Sequence, residues 1–166
     1  MSIELRDARR SPVDRQWLIN VYPFYLHDLS AFDTSYYTLD DRGRWSPDHL
    51  PSWLEEDPDH PLIIVEAGRR VGFALVNQAP SPHLQPGMDF RMSEFFVLRS
   101  ERGRGIGRRA VFALFDRFPG RWEIFELPRN APAIRFWRGV IGAYRDGRYA
   151  ETGDASHVRQ VIDTTG

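Results

Sequence analysis

The segment from Glu94 to Arg108 holds the residue types best able to do chemistry: an acid, the apolar run Phe95-Phe96-Val97-Leu98, and then a loop rich in Arg and Gly. Gly103, Gly105 and Gly107 let the backbone turn with positive φ, so that several N–H groups can converge on one point. A helix beginning after Gly105 adds unpaired donors and a positive dipole end. Such a nest suits a pyrophosphate. Each charge-assisted N–H contact is worth roughly 1.5–3 kcal/mol, and the dipole adds about 0.3–1 kcal/mol. Five arginines, Arg99, Arg102, Arg104, Arg108 and Arg109, reinforce the preference for an anion. A solvated basic loop is the competing reading of the same residues.

These groups need a sheet and helices to hold them. Ile3 and Leu5 alternate with polar neighbours as in a half-buried strand. Ser11-Pro12 and Asp14 form a helix start, followed at helical spacing by Trp17, Leu18, Val21, Tyr25, Leu29 and Phe32, which predicts about four turns bent at Pro23. Asp33 to Pro61 reads as loop with one short helix near Leu50, Trp53 and Leu54. Leu62–Ala67 and Val71–Gln78 read as a hairpin turning at Gly68-Arg69. Met88–Leu98 is a long strand, Arg108–Phe118 a helix, and Trp122 to Phe125 a strand. Asn130 caps a helix carrying Ala133, Ile134, Phe136, Trp137 and Val140. Gly147–Glu151 and His157–Asp163 close the chain as strands.

Composition removes whole chemistries. The 166 residues include 22 basic side chains, every one of them Arg, and no Cys. Thiolate nucleophiles, Cys-ligated zinc, Lys Schiff bases and the Walker lysine are therefore excluded. The five His lack metal-ligand spacing, and no metal is expected. A net charge of −1 gives no monopole for nucleic acid or an anionic membrane. No apolar run approaches the roughly 20 residues of a membrane span, and the acidic start lacks the apolar core of a signal peptide. A single cytoplasmic domain over 1–166, with no nucleic-acid or membrane partner, is the expectation.

The run Arg102-x-x-Gly105-x-Gly107 between strand and helix resembles the pyrophosphate motif of the GNAT (GCN5-related N-acetyltransferase) superfamily. Asn130, Ala133, Phe136 and Trp137 resemble that family's Asn…Ala…Phe-Tyr helix, and Glu94-Phe-Phe-Val-Leu is similar to a segment of its diamine acetyltransferase branch. The order of elements agrees over nearly the whole chain. The resemblance implies an α/β fold whose central, mostly antiparallel sheet splays around the cofactor and is flanked by about four helices. It implies acetyl-CoA as cosubstrate, with the backbone at Phe96 and Val97 pairing with the pantetheine arm. Amides from Gly103 through Arg108, together with Arg102 and Arg104, would hold the pyrophosphate. Asn130, Phe136 and Trp137 would lie beside the thiol end. Glu94, or a water it holds, is expected as general base toward a primary amine of a small molecule or peptide; a sheet-edge charge is its plain alternative. A homodimer is possible from the family.

Trp137 stands where the family's usual proton donor, a Tyr, is found, and an indole has no titratable hydroxyl. Tyr144, just beyond the same helix, is the first substitute; Tyr149, Tyr36, Tyr37 and water are the others. Other readings stay open at this point. A catalytically degenerate domain could bind acyl-CoA as a sensor. Gly105-x-Gly107-x-x-Ala110 with Glu126 about twenty residues on matches a dinucleotide fingerprint, and the Arg cluster beside Trp137 could meet nucleic acid. Asp40, Asp41, Glu55, Glu56, Asp57 and Asp59 gather acid where a cationic acceptor could be drawn in, or form a solvated loop.

Overall fold

The computed structural model describes residues 2–55 and 57–166, so Glu56 of the acidic loop lies outside the described residues. Strand β1 spans Ile3–Asp7. The Ser11 hydroxyl accepts the Asp14 N–H at 3.3 Å and opens helix α1, Pro12–Ser30. The helix is longer than the predicted four turns because its first turn is polar and escapes the apolar pattern. Pro23 lies inside it, and the helix continues to Ser30.

Two short strands that the sequence did not signal, β2 (Thr38–Leu39) and β3 (Trp45–Ser46), form a hairpin. Asp40 closes it by accepting the N–H groups of Arg42 and Arg44 at 2.9 and 3.0 Å. Part of the acidic cluster thus serves a turn. Helix α2 is a single turn, Leu50–Trp53. Strands β4 (His60–Glu66) and β5 (Arg69–Gln78) form the expected hairpin, turning at Ala67-Gly68, one residue earlier than read. Both turn residues have positive φ, 49° and 77°, as a tight two-residue hairpin requires.

The remaining elements are β6 (Phe90–Val97), α3 (Ile106–Arg117), β7 (Arg121–Glu126), α4 (Ala131–Ala143), β8 (Tyr149–Gly153) and β9 (Val158–Asp163). Seven strands form one sheet in the order β1-β4-β5-β6-β7-β9-β8. Only β6 and β7 run parallel. A doubly wound dinucleotide fold needs a largely parallel sheet, so the fingerprint at Gly105 does not sit in that architecture.

Each face of the sheet buries its own apolar set. On one, Met92, Leu114, Phe115, Trp122, Ile124 and Trp137 join α3 and α4 to the strands. On the other, Leu18, Tyr22, Phe73, Leu75 and Phe96 join α1 and α2. Each fully buried large side chain contributes roughly 1.5–3 kcal/mol, and this two-sided packing holds the strands on either side of the parallel pair.

Candidate active site

Strands β6 and β7 pair over three positions only, Phe90–Met92 against Trp122–Ile124. Past Met92 and Ile124 they separate, and the fork between them opens into a cleft of about 400 Å³. Beyond the fork β7 gives β6 no partner. The Leu98 N–H donates to Val71 O at 2.9 Å across the other edge, and Gly72 stands opposite Val97, Phe73 opposite Phe96. Because bonded and non-bonded pairs alternate in an antiparallel ladder, Phe96 bonds to β5, while the backbone groups of Phe95 and Val97 face the fork. Of the two residues expected to pair with an extended arm, Val97 therefore offers its backbone and Phe96 does not; Phe95 takes its place. Arg102 Nε donates to Val97 O at 2.8 Å, which leaves the Val97 N–H and both backbone groups of Phe95 toward the fork.

A β-bulge sets where Glu94 points. The β5–β6 register steps from Val76 opposite Met92 to Leu75 opposite Glu94, so Ser93 is extra. The extra residue reverses the alternation of faces. Met92 packs on the α3/α4 side, whereas Glu94 accepts the Tyr22 hydroxyl of α1 at 2.9 Å and Phe96 packs beside it. Ser93 and Phe95 on either side of Glu94 line the cleft, as do Tyr25 and Tyr37. Glu94 lies just behind this wall, and its Oε2 is buried without a partner among the described residues. Burial pushes its carboxyl up to about 7; the Tyr22 hydrogen bond opposes this, and Asp48 adds to it. Tyr37 is pushed up to about 12, first by burial and then by the Glu94 charge.

At the other end of the free edge, the loop behaves in part as its sequence suggests. Gly103 and Gly105 have φ of 79° and 73°, and a Cβ at either would meet only open space. The first bond of α3 runs from Arg109 N to Gly105 O at 3.1 Å, so the N–H groups of Ile106, Gly107 and Arg108 precede any intrahelical acceptor. Gly107 serves helix packing instead. A Cβ there would come within 3.0–3.1 Å of the Phe136 ring, so its bareness lets α3 approach α4. The arginines largely pair with acids of the same chain at its surface. Arg99 and Arg102 pair with Asp28 of α1 at 2.7 and 2.8 Å, Arg104 with Glu101, and Arg109 with Glu66. Arg108 lies over the Phe112 ring at 5.3 Å. With four of the five paired to acids, the arginines make a poor nucleic-acid patch, and the preference for an anion rests on the backbone.

On the α4 side, Asn130 caps the helix by accepting the Ala133 N–H at 3.1 Å and lines the cleft together with Ala133 and Trp137. Its amide N–H₂ is left for donation. Phe136 stacks on Phe95 with centroids 5.8 Å apart, and Trp137 meets Phe95 edge-on at 5.4 Å. Tyr144, the first substitute named for the proton donor, does not reach this place. Its hydroxyl donates to Asp116 at 2.8 Å, and its ring packs against Phe112 and Phe115, because the chain turns at the end of α4 and directs it into the core. Glu126 does reach the cleft. It is 6% exposed, and both of its oxygens are buried without a hydrogen-bond partner among the described residues. Its signal in the sequence was an acid at the inward position of the alternating run Trp122, Ile124, Glu126; Tyr22 was missed because a Tyr among apolar helical positions reads as packing.

The acetyltransferase (GNAT) family model matches residues 25–142. The chain belongs to this family. Solved structures share the fold. The putative acetyltransferase yncA from Salmonella typhimurium, solved with acetyl-CoA, superposes with a TM-score of 0.61 at 16% identity, covering 100% of this chain and 96% of that one. A ribosomal-protein-alanine N-acetyltransferase from Brucella melitensis gives 0.61 at 18% identity, covering 96% and 99%. AAC(6')-Ib, solved with paromomycin and acetyl-CoA, gives 0.62 at 18% identity, covering 98% and 94%. No curated protein matches the chain in sequence. Among the described residues no helix is long and apolar enough to cross a membrane.

Proposed function

We propose that this protein transfers an acetyl group from acetyl-CoA to a primary amine of a small molecule or peptide by direct attack. The observation that carries the reading is continuity. The free edge at Phe95 and Val97 leads from the N–H groups at the start of α3 to the fork beside Glu94. Donors at Gly103 through Arg108 bind the pyrophosphate. The edge binds the pantetheine arm as an added strand would be bound. A free-edge N–H near Val97 polarises the thioester carbonyl and meets the charge that develops on its oxygen. The residues present fit acetyl-CoA: glycines with open space above them, amides at a helix start that precede its first intrahelical bond, and an Asn amide lining the cleft.

Glu94, through a water between it and the cleft, takes the amine proton. An amine of pKa about 10.4 is neutral in only about one molecule in a few thousand at pH 7, a cost of about 4.6 kcal/mol that proton removal must meet. A carboxylate raised to about 7 is a stronger base than an exposed one and still half ionised at neutral pH. The attack needs no covalent enzyme intermediate, in keeping with a chain without Cys.

Acetyl-CoA at about 100 times its Kd is expected to stabilise the protein by about 2.7 kcal/mol, or roughly 5–10 °C in Tm, while NADH and a short oligonucleotide give no shift. Glu94→Gln is expected to lower kcat at pH 7 by about 100-fold or more with the acetyl-CoA shift unchanged. An acetyl-CoA shift without turnover in an amine screen would make the domain an acyl-CoA sensor; no shift at all would remove the reading.

A further inference from the structure

Two carboxylates leave the fork in step. Glu94 stands two residues past Met92 on β6, and Glu126 two residues past Ile124 on β7, after the last paired position. The bulge at Ser93 turns Glu94 to the α1/α2 face. Strand β7 has no bulge against β9, so Glu126 keeps the face of Trp122 and Ile124 and looks toward α4. The acids therefore flank the cleft from opposite faces of the sheet.

Most of the groups around Glu126 are engaged elsewhere. Arg138 of α4 is held by Glu151 of β8. Gln160 of β9 donates to that same Glu151 at 3.3 Å, and its Oε1 is buried with no partner among the described residues. His157, before β9, packs tilted against Phe125 with centroids 5.1 Å apart, and Arg91 of β6 lies over the Phe125 ring while donating to His83 O. Neither oxygen of Glu126 meets a partner in full hydrogen-bonding geometry among the described residues, while the Gln160 amide stands close enough to act on it. Burial raises its carboxyl to about 8, against the pull of the Gln160 amide; Glu151 raises it further, and Arg138 opposes. A carboxyl raised in this way keeps its proton more readily at neutral pH than an exposed one, and it lines the cleft together with Asn130 and Trp137.

We propose that Glu126 is the general acid of the transfer, giving its proton to the sulfur of CoA as the tetrahedral intermediate collapses. This rests on the acetyl-transfer reading above. The C–S bond breaks and its electron pair stays on sulfur; the carboxyl O–H proton moves to that sulfur, so the products are the acetylated amine, the free CoA thiol and the Glu126 carboxylate. The carboxylate regains a proton from solvent before the next turnover. The split between faces gives each proton its own group: Glu94 on the acceptor side removes one, and Glu126 on the α4 side, where Trp137 has none to give, supplies the other.

The test compares wild type with Glu126→Gln, which keeps shape and removes the proton, and with Glu126→Asp. For the wild type, kcat against pH is expected to rise through about 7 and fall above about 8. In Glu126→Gln the alkaline fall disappears and kcat drops roughly 100-fold, with KM for acetyl-CoA unchanged, and Glu126→Asp recovers part of the loss. A second readout needs no turnover. In the CoA complex an ionised Glu126 beside sulfur disfavours a second negative charge, so thiolate ultraviolet absorbance completes its rise at higher pH in wild type than in Glu126→Gln. Unchanged kcat and an unchanged thiol titration would overturn the proposal. So would a raised KM confined to acceptors with a second positive charge, which would make Glu126 a cation subsite. A wild type that neither binds nor turns over acetyl-CoA would overturn the acetyl-transfer reading and this proposal together.

Discussion

Tyr22 and Glu94 show how one hydrogen bond places a base. The Tyr22 hydroxyl is buried and donates to Glu94 Oε1 at 2.9 Å, which favours the carboxylate against the burial that holds the group near 7. Tyr22→Phe keeps the ring packing on Tyr25 and Phe73 and removes only this donor. A hydrogen bond to a charged group is worth roughly 1.5–3 kcal/mol, and one pH unit corresponds to about 1.36 kcal/mol. The acid limb of the kcat/KM profile is therefore expected to move up by about one pH unit in Tyr22→Phe, with the plateau rate retained. A limb that stays in place would mean that Glu94 is not the group titrating there. The role of Tyr22 was not legible in the sequence because a tyrosine at core spacing says nothing of what its hydroxyl meets. Glu94 was legible as a chemical residue, but its direction was not, since the bulge at Ser93 has no residue signature of its own.

At the scale of elements, the start of α3 separates two uses of glycine that the sequence presents alike. Gly105 has positive φ and open space above it, whereas Gly107 lies under the Phe136 ring. Gly105→Val forces a β-branched residue toward φ values it avoids and displaces the amides beside it. Acetyl-CoA binding is expected to weaken roughly 10- to 100-fold, the loss of about one charge-assisted contact, measured by calorimetric titration. Gly107→Val instead pushes α3 from α4 and is expected to cost about 1–3 kcal/mol in denaturant unfolding. The helices α1, α3 and α4 and the β4–β5 hairpin were readable because apolar spacing, caps and a Gly turn all agreed. The β2–β3 hairpin was not: each strand is two residues long, too short for any alternation, and its closure by Asp40 is a local side-chain-to-backbone contact. The arginines read as a ligand patch because sequence shows their number and hides their partners; Asp28, Glu66 and Glu101, which pair with them, lie in other elements or read as solvated charges.

For the whole molecule, the fork places a half-buried acid, Glu94, and a buried one, Glu126, where the sheet parts, and this ties stability to pH. Both Glu94 and Glu126 are raised above the ordinary carboxylate range, to about 7 and about 8, each chiefly by burial. A folded-state value above the unfolded one means that the native protein binds more protons between the two, so stability falls as pH rises through that window. The contribution of each group is complete below about 4.5 and is lost as pH passes 7 for Glu94 and 8 for Glu126. The carboxylates with lowered values, such as Asp28 beside Arg102 and Arg99 and Asp154 beside Ser156 at about 2, act oppositely and lose their contribution only in acid. Wild type is therefore expected to be most stable near pH 5 and to weaken steadily to pH 9, while the double variant Glu94→Gln, Glu126→Gln holds a nearly flat stability over that range and exceeds wild type above pH 8. Urea unfolding at pH 5, 7 and 9 measures it. A wild-type curve as flat as that of the double variant would mean that water reaches both carboxylates and that the fork is too wet to hold either a raised base or a protonated acid.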